Sequence, residues 1–257
     1  KNINFKNKKK LKKAIEKITI KNYIYKYIYL DTTVNIQNYN NTLSHIGSRY
    51  EYDDIIKIVN FCILIFKRLH SSPIQNINLI LLPLNLPKKF NIKSSKNQLI
   101  SDNINSGYTI IYEKGIDYSF IYRSEEFYKV IIHELIHQYK FHEDIDVNNN
   151  NIKSSNKIIK LFNIQNDNFR LYEAYVESLA TIIYTYYKYK IDKKFINKQK
   201  YNFKELLKKQ IEFGFLQSAK VLLNQNIKKY EDIGNLNYPI IESTNAVAYH
   251  ILKTIIL

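Results

Sequence analysis

Apolar and polar positions alternate from Ile18 to Leu30, with Tyr23, Tyr25, Tyr27 and Tyr29 on one face and Ile24 and Ile28 on the other, the period of a β-strand. Ahead of it, residues 1–17 are lysine-rich, with Leu11, Ala14 and Ile15 at helix-compatible spacing, and predict a basic lead-in helix. Residues 31–49 are polar and turn-rich and read as loop. The period changes to that of a helix from Tyr52 to Leu69, which stops before Ser71-Ser72-Pro73. Asn78–Leu82 reads as a short buried strand closed off by Pro83 and Pro87. Tyr108–Tyr112 and Tyr118–Tyr122, joined through Lys114-Gly115, predict a hairpin.

The second half of the chain is helical in pattern. Ser124 is placed to cap a helix whose first turn carries Glu125 and Glu126, and which runs to about Phe141. Residues 143–156 are rich in Asn and Ser and read as a flexible loop. Further helices are predicted over 167–190, 203–225 and 243–257. This order predicts an α+β chain: the lead-in helix over 1–17, a mixed lobe with a small sheet over 18–142, and a mainly helical lobe over 143–257. Its 257 residues suffice for two lobes sharing a cleft.

Composition changes the picture in only a few ways. The excess of Ile, Lys, Asn and Tyr is what an AT-rich genome encodes, so the formal charge of +16 reads first as lysine scattered over solvated faces. The same charge would suit nucleic acid, anionic membranes or acidic peptides as partners. A single cysteine, Cys62 within an apolar run, excludes a disulfide framework and leans toward an intracellular, reducing compartment. A leader removed ahead of Lys1 would leave no trace, and no apolar run approaches the roughly 18 residues of a membrane span.

Chemistry concentrates in Val130-Ile131-Ile132-His133-Glu134-Leu135-Ile136-His137, which contains the pattern H-E-x-x-H. On a helix His133 and His137 stand one turn apart on one face, so two imidazoles reach one tetrahedral Zn²⁺. Glu134 is offset enough to miss the metal and close enough to act on its water. The apolar neighbours predict a buried helix, where His-Glu-His is costly without a partner. The site still lacks a protein ligand. Lys140 and Glu143 stand where a metzincin places glycine and its third histidine, and His142 points away, so that solution fails. Downstream, Leu171-Tyr172-Glu173-Ala174-Tyr175-Val176-Glu177-Ser178-Leu179-Ala180 places two acids one turn apart, with Ala174, Ser178 and Ala180 small enough for close helix approach.

Over about residues 105–180 the chain resembles the gluzincin zinc metallopeptidases, in which H-E-x-x-H is followed by a helix reading Glu, three residues, then Asp or Glu. The resemblance implies a zincin-like fold with the site in a cleft between the lobes. It implies one catalytic Zn²⁺ held by His133, His137 and Glu173, with Glu177 orienting a ligand histidine, and it leaves the reverse assignment of the two acids open. Residues 105–109 look like the edge strand that such peptidases lay beside the zinc helix for an extended substrate. The expected activity is peptide hydrolysis by a metal-activated water with Glu134 as general base. Tyr249 and His250 are the candidates for stabilising the oxyanion. Arg123 is a candidate for a substrate carboxylate or for a surface ion pair with Glu125 or Glu126. Expected partners are peptides or proteins, acidic ones included. The competing expectation is a basic zincin-like binding protein for nucleic acid or an acidic partner, against which the intact Glu134 counts. No feature of the sequence sets an oligomeric state or a cleavage specificity.

Overall fold

The computed structural model describes residues 20–41, 52–69, 76–88, 99–111, 117–141, 149–166, 168–192 and 201–257. The lead-in helix expected over 1–17 lies outside them. Two long strands come first, β1 (Ile20–Tyr29) and β2 (Thr32–Asn41), and pair antiparallel. β2 falls in the segment read as loop. Thr32, Val34 and Ile36 alternate with polar residues and are fully buried, so three inward positions suffice for a strand whose outward face is Asn- and Gln-rich.

Helix α1 (Tyr52–Leu69) has the bounds expected from its periodicity. Strand β3 (Asn76–Leu84) runs through Pro83 instead of stopping before it. Its register with its parallel neighbour, the strand Tyr118–Arg123, shifts between Leu81 and Leu84, which brackets the residue that has no N–H to give a ladder. After the single-turn helix α2 (Ser101–Ile104), β4 (Gly107–Ile110) and β5 (Tyr118–Arg123) pair antiparallel, as the expected hairpin requires. The sheet order is β1-β2-β3-β5-β4, with β2, β3 and β5 mutually parallel. β4 is therefore an edge strand.

The helix bearing the two histidines, α3 (Phe127–Gln138), begins later than Ser124 and ends before Phe141. The Ser124 amide is taken by the Leu84 carbonyl, which prolongs the strand pairing and delays the turn. Glu126 then occupies the cap position in the left-handed region, with no side-chain cap bond. Helix α4 (Asn149–Phe162) takes up residues 149–156 of the loop expected over 143–156, the rest of which lies outside the described residues. Ile158, Ile159 and Phe162 pack on a core, and that burial outweighs the poor helix preference of its Asn and Ser residues.

Strand β6 (Ile164–Gln165), helix α5 (Tyr172–Lys190) and helix α6 (Phe203–Asn224) follow. α5 starts five residues later than the pattern suggested. α6 carries a capping box between Asn202 and Glu205. Strand β7 (Ile240–Ile241) pairs with β6. The last helix begins at Val247, not Ser243, as a π-helical segment (Val247–Leu252) that passes into α7 (Lys253–Ile256).

The architecture is α+β, with two apolar cores. One packs β2, β3, α1 and α3 against one side of α5, through Val176, Ala180 and Ile183. The other gathers Leu99, Phe162, Ile240 and Val247 around Ala174 of the same helix. Helix α5 is thus held from both sides, which fixes Glu173 and Glu177 relative to α3. Among the described residues no helix is long and apolar enough to cross a membrane.

Candidate metal centre

Helix α3 is buried along almost its whole length, as its apolar flanks predicted. Its two histidines face α5; of the small residues expected to let the helices approach, Ala180 lies in the core shared with α3, whereas Ala174 lies in the other core and Ser178 donates to the Ala174 carbonyl. His133 Nε2 and His137 Nε2 lie 3.2 Å apart. Glu173 Oε2 is 3.5 Å from the first and 3.4 Å from the second. These three atoms form a nearly equilateral triangle of ligand atoms, and the group is one that can hold a metal ion.

The triangle also has the size zinc requires. Bonds of about 2.0–2.1 Å at tetrahedral angles put ligand atoms roughly 3.4 Å apart. Glu173 Oε2 is buried and accepts no hydrogen bond, an orphan that a cation would satisfy. Burial alone would raise the Glu173 carboxyl, but His137 and His133 hold it well below the usual carboxylate range. Burial likewise opposes a charge on His133, yet the Glu173 and Glu177 carboxylates beside its two ring nitrogens lift the imidazolium to about 10.

Glu177 lies one turn beyond Glu173, and its Oε2 is 2.9 Å from His133 Nδ1. That contact uses the ring nitrogen opposite the triangle, so of the two acids Glu173 is the one that faces both Nε2 atoms. Tyr172, which sequence reasoning passed over, sets its ring edge-on to His137 at 6.1 Å.

Glu134 turns to the other flank of α3, toward β4. Thr109 Oγ1 donates to Glu134 Oε2 at 2.7 Å. Ser119 Oγ stands 2.7 Å from the same hydroxyl and accepts from Gln138 Nε2, so the threonine is held in a chain of bonds. Gly107 lets β4 come this close: a Cβ there would lie 2.9 Å from Glu134 Oε1 and 2.8 Å from the Phe120 carbonyl. Burial raises the Glu134 carboxyl above its ordinary value, against the pull of His133, His137 and Thr109. Neither Thr109 nor Gly107 was singled out for this role. Their only signal was membership of the strand expected beside the zinc helix.

Tyr249 and His250 both reach the site. The Tyr249 ring lies 5.8 Å from that of His133. Together with Ser106, Gly107, Glu134 and Lys88, both residues line a pocket of about 60 Å³ beside His133. The π-helical turn narrows the angle between consecutive side chains, which helps both face one pocket. Burial and the neighbouring carboxylates Glu173, Glu134 and Glu177 push the Tyr249 phenol well up, so it stays a donor. His250 is driven down to about 3 by burial, Lys253 and Lys88 and stays neutral.

Arg123 is not a surface residue. It is buried at the end of β5, its Nη1 donates to the Leu86 carbonyl, and its guanidinium lies 5.8 Å from the Tyr122 ring centre. Comparison of the chain with protein-family models, curated proteins and solved structures finds no match in any of the three.

Proposed function

We propose that the protein is a zinc-dependent peptidase of gluzincin type, with a zincin-like arrangement of sheet edge, metal helix and acid helix around a substrate cleft. The observation that carries the reading is the combination of a zinc-sized His133–His137–Glu173 triangle with a separately held carboxylate, Glu134, one residue from a ligand. A site that only stored or structured a metal has no need of that fourth group.

Zinc held there supplies a Lewis acid that acidifies water and polarises a carbonyl. Glu134 accepts the proton of the attacking water and passes it to the leaving amine. Thr109 keeps the Glu134 carboxylate aimed while the proton moves. The Tyr249 hydroxyl donates to the oxygen that gains charge, and His250 lines the same pocket as a neutral ring. Glu177 holds the Nδ1 proton of His133, which leaves Nε2 free to ligate. The free edge of β4 binds an extended peptide by backbone hydrogen bonds. The +16 charge favours acidic peptides by long-range steering.

Glu134→Gln tests the reading, with zinc content and hydrolysis of a peptide library measured on the same preparations. The expected result is stoichiometric zinc in both proteins and hydrolysis by wild type alone. Wild-type protein that holds no zinc overturns the metal assignment. Zinc retained by a wild type that cleaves nothing overturns the peptidase assignment and leaves a basic binding protein.

A further inference from the structure

Lys129 occupies the third position of α3, one turn before His133 and two turns before His137 on the same face. It is only 8% exposed. Both facts count against a lysine there. A buried ammonium pays heavily for lost hydration, and the first turn of a helix is the positive end of its dipole. A cation in line with two metal-binding histidines would also oppose the binding of a dication.

Its partners resolve the conflict. Lys129 Nζ lies 2.6 Å from Glu177 Oε1 and 2.8 Å from Glu126 Oε1. Glu126 is shared with Lys88 at 3.2 Å, and Glu177 has a longer contact with Lys253 at 3.9 Å. The second oxygen of Glu177 meets His133 Nδ1 at 2.9 Å. The result is an unbroken line of charged contacts from Lys88 through Glu126, Lys129 and Glu177 to a histidine of the triangle. One carboxylate therefore has its two oxygens divided between an ammonium and an imidazole.

We propose that Lys129 is a positioning residue for the metal centre: by clamping one oxygen of Glu177 it fixes the other on His133 Nδ1 and thereby strengthens Zn²⁺ binding. The inference rests on the metal reading above. Without the clamp, Oε1 of Glu177 keeps only its longer contact with Lys253, the carboxylate gains freedom to turn, and the bond that selects the His133 tautomer weakens. Groups behind a metal ligand typically change affinity by about 10–100-fold when removed. A buried ion pair that served packing alone would change stability and leave the affinity of the folded protein untouched.

The test measures Zn²⁺ affinity at one pH by competition with a chromophoric chelator, and the visible spectrum of the Co²⁺-loaded protein. The proteins are wild type, Lys129→Met, Lys129→Arg, Glu177→Gln and the double variant Lys129→Met/Glu177→Gln. Lys129→Met is expected to weaken Zn²⁺ binding about 10-fold or more and to shift the Co²⁺ bands. Lys129→Arg, which keeps charge and donors, restores most of the loss. In the Glu177→Gln background, Lys129→Met changes neither readout, because the lysine acts only through that carboxylate.

If Lys129→Met fails to fold, Lys129→Gln takes its place, with a donor retained and an intermediate loss expected. Unchanged affinity and spectrum in the folded single variant overturn the inference. So does an equal loss in the Glu177→Gln background, which would mean that Lys129 acts by a route other than Glu177. A wild type that binds no Zn²⁺ sinks the metal reading together with the inference. A wild type that binds it while Lys129→Met binds equally well sinks the inference alone.

Discussion

Thr109 Oγ1 donates to Glu134 Oε2 across 2.7 Å, joining the edge strand β4 to the residue that follows the first histidine of α3. The bond comes from an element far from the acid helix in sequence, and it holds Glu134 apart from the acids Glu173 and Glu177, which face the histidine rings. Thr109→Val keeps the shape of the side chain and removes the hydroxyl. Loss of one such bond to a charged group costs about 1.5–3 kcal/mol, so kcat is expected to fall roughly 10- to 100-fold. Zinc content should stay at the wild-type level, because no triangle atom touches Thr109. Steady-state kinetics beside metal analysis checks both.

Gly107 marks where the same strand meets α3. The Cβ of Gly107→Ala would lie 2.8 Å from the Phe120 carbonyl and 2.9 Å from both Glu134 Oε1 and Val130 Cγ1. The Phe120 carbonyl is backbone and the Glu134 carboxylate is held by Thr109, so neither contact is easily relieved. The variant is expected to lose about 1–3 kcal/mol of stability and to lower kcat with it, as thermal unfolding and kinetics would show.

Tyr249→Phe separates packing from chemistry. The ring against His133 is preserved and the donor is removed. A drop in kcat on the order of 100-fold is expected, with zinc affinity unchanged. A variant as active as wild type would remove Tyr249 from the reaction and pass the role to another group.

Glu242 lies outside the metal centre and gives the fold a pH dependence of its own. Burial raises its carboxyl to about 7, although the Val247 amide, Asn166 and the Ala246 amide donate to it. A carboxyl raised in the folded state binds more protons folded than unfolded between its two pKa values. Its protonation therefore stabilises the fold at pH 4–5, and that contribution is lost as the pH rises through about 7. The span corresponds to about 3 kcal/mol. Glu242→Gln does not titrate, so its unfolding free energy should lack this fall when measured by denaturant at pH 5 and pH 7.5.

Much of the site was legible before any coordinates. H-E-x-x-H on an apolar helix offers two candidate metal ligands and a candidate base because helical geometry leaves residues four apart on one face. The acid pair Glu173 and Glu177 could be picked out because both sit on one face of a second helix. What failed were segments where tertiary contacts overrule local preference. β2 was hidden by its polar outward face, and α4 by a run of Asn and Ser whose helix is held by Ile158, Ile159 and Phe162. The start of α3 was misplaced because the amide of Ser124 is claimed by Leu84, a partner remote in sequence.

The sequence alone determined which residue types carry the chemistry, through spacing on single helices: His133, Glu134 and His137 on one, Glu173 and Glu177 on another. Tertiary structure decided how they divide the work. Only the packing of α5 between two cores turns Glu173 toward both Nε2 atoms and Glu177 toward Nδ1. The sheet order brings Thr109 to Glu134, and the packing of the π-helical segment against α5 brings Tyr249 to His133. Periodicity along one element specifies its own faces. The distance between two elements depends on every side chain packed between them, and no local pattern encodes that.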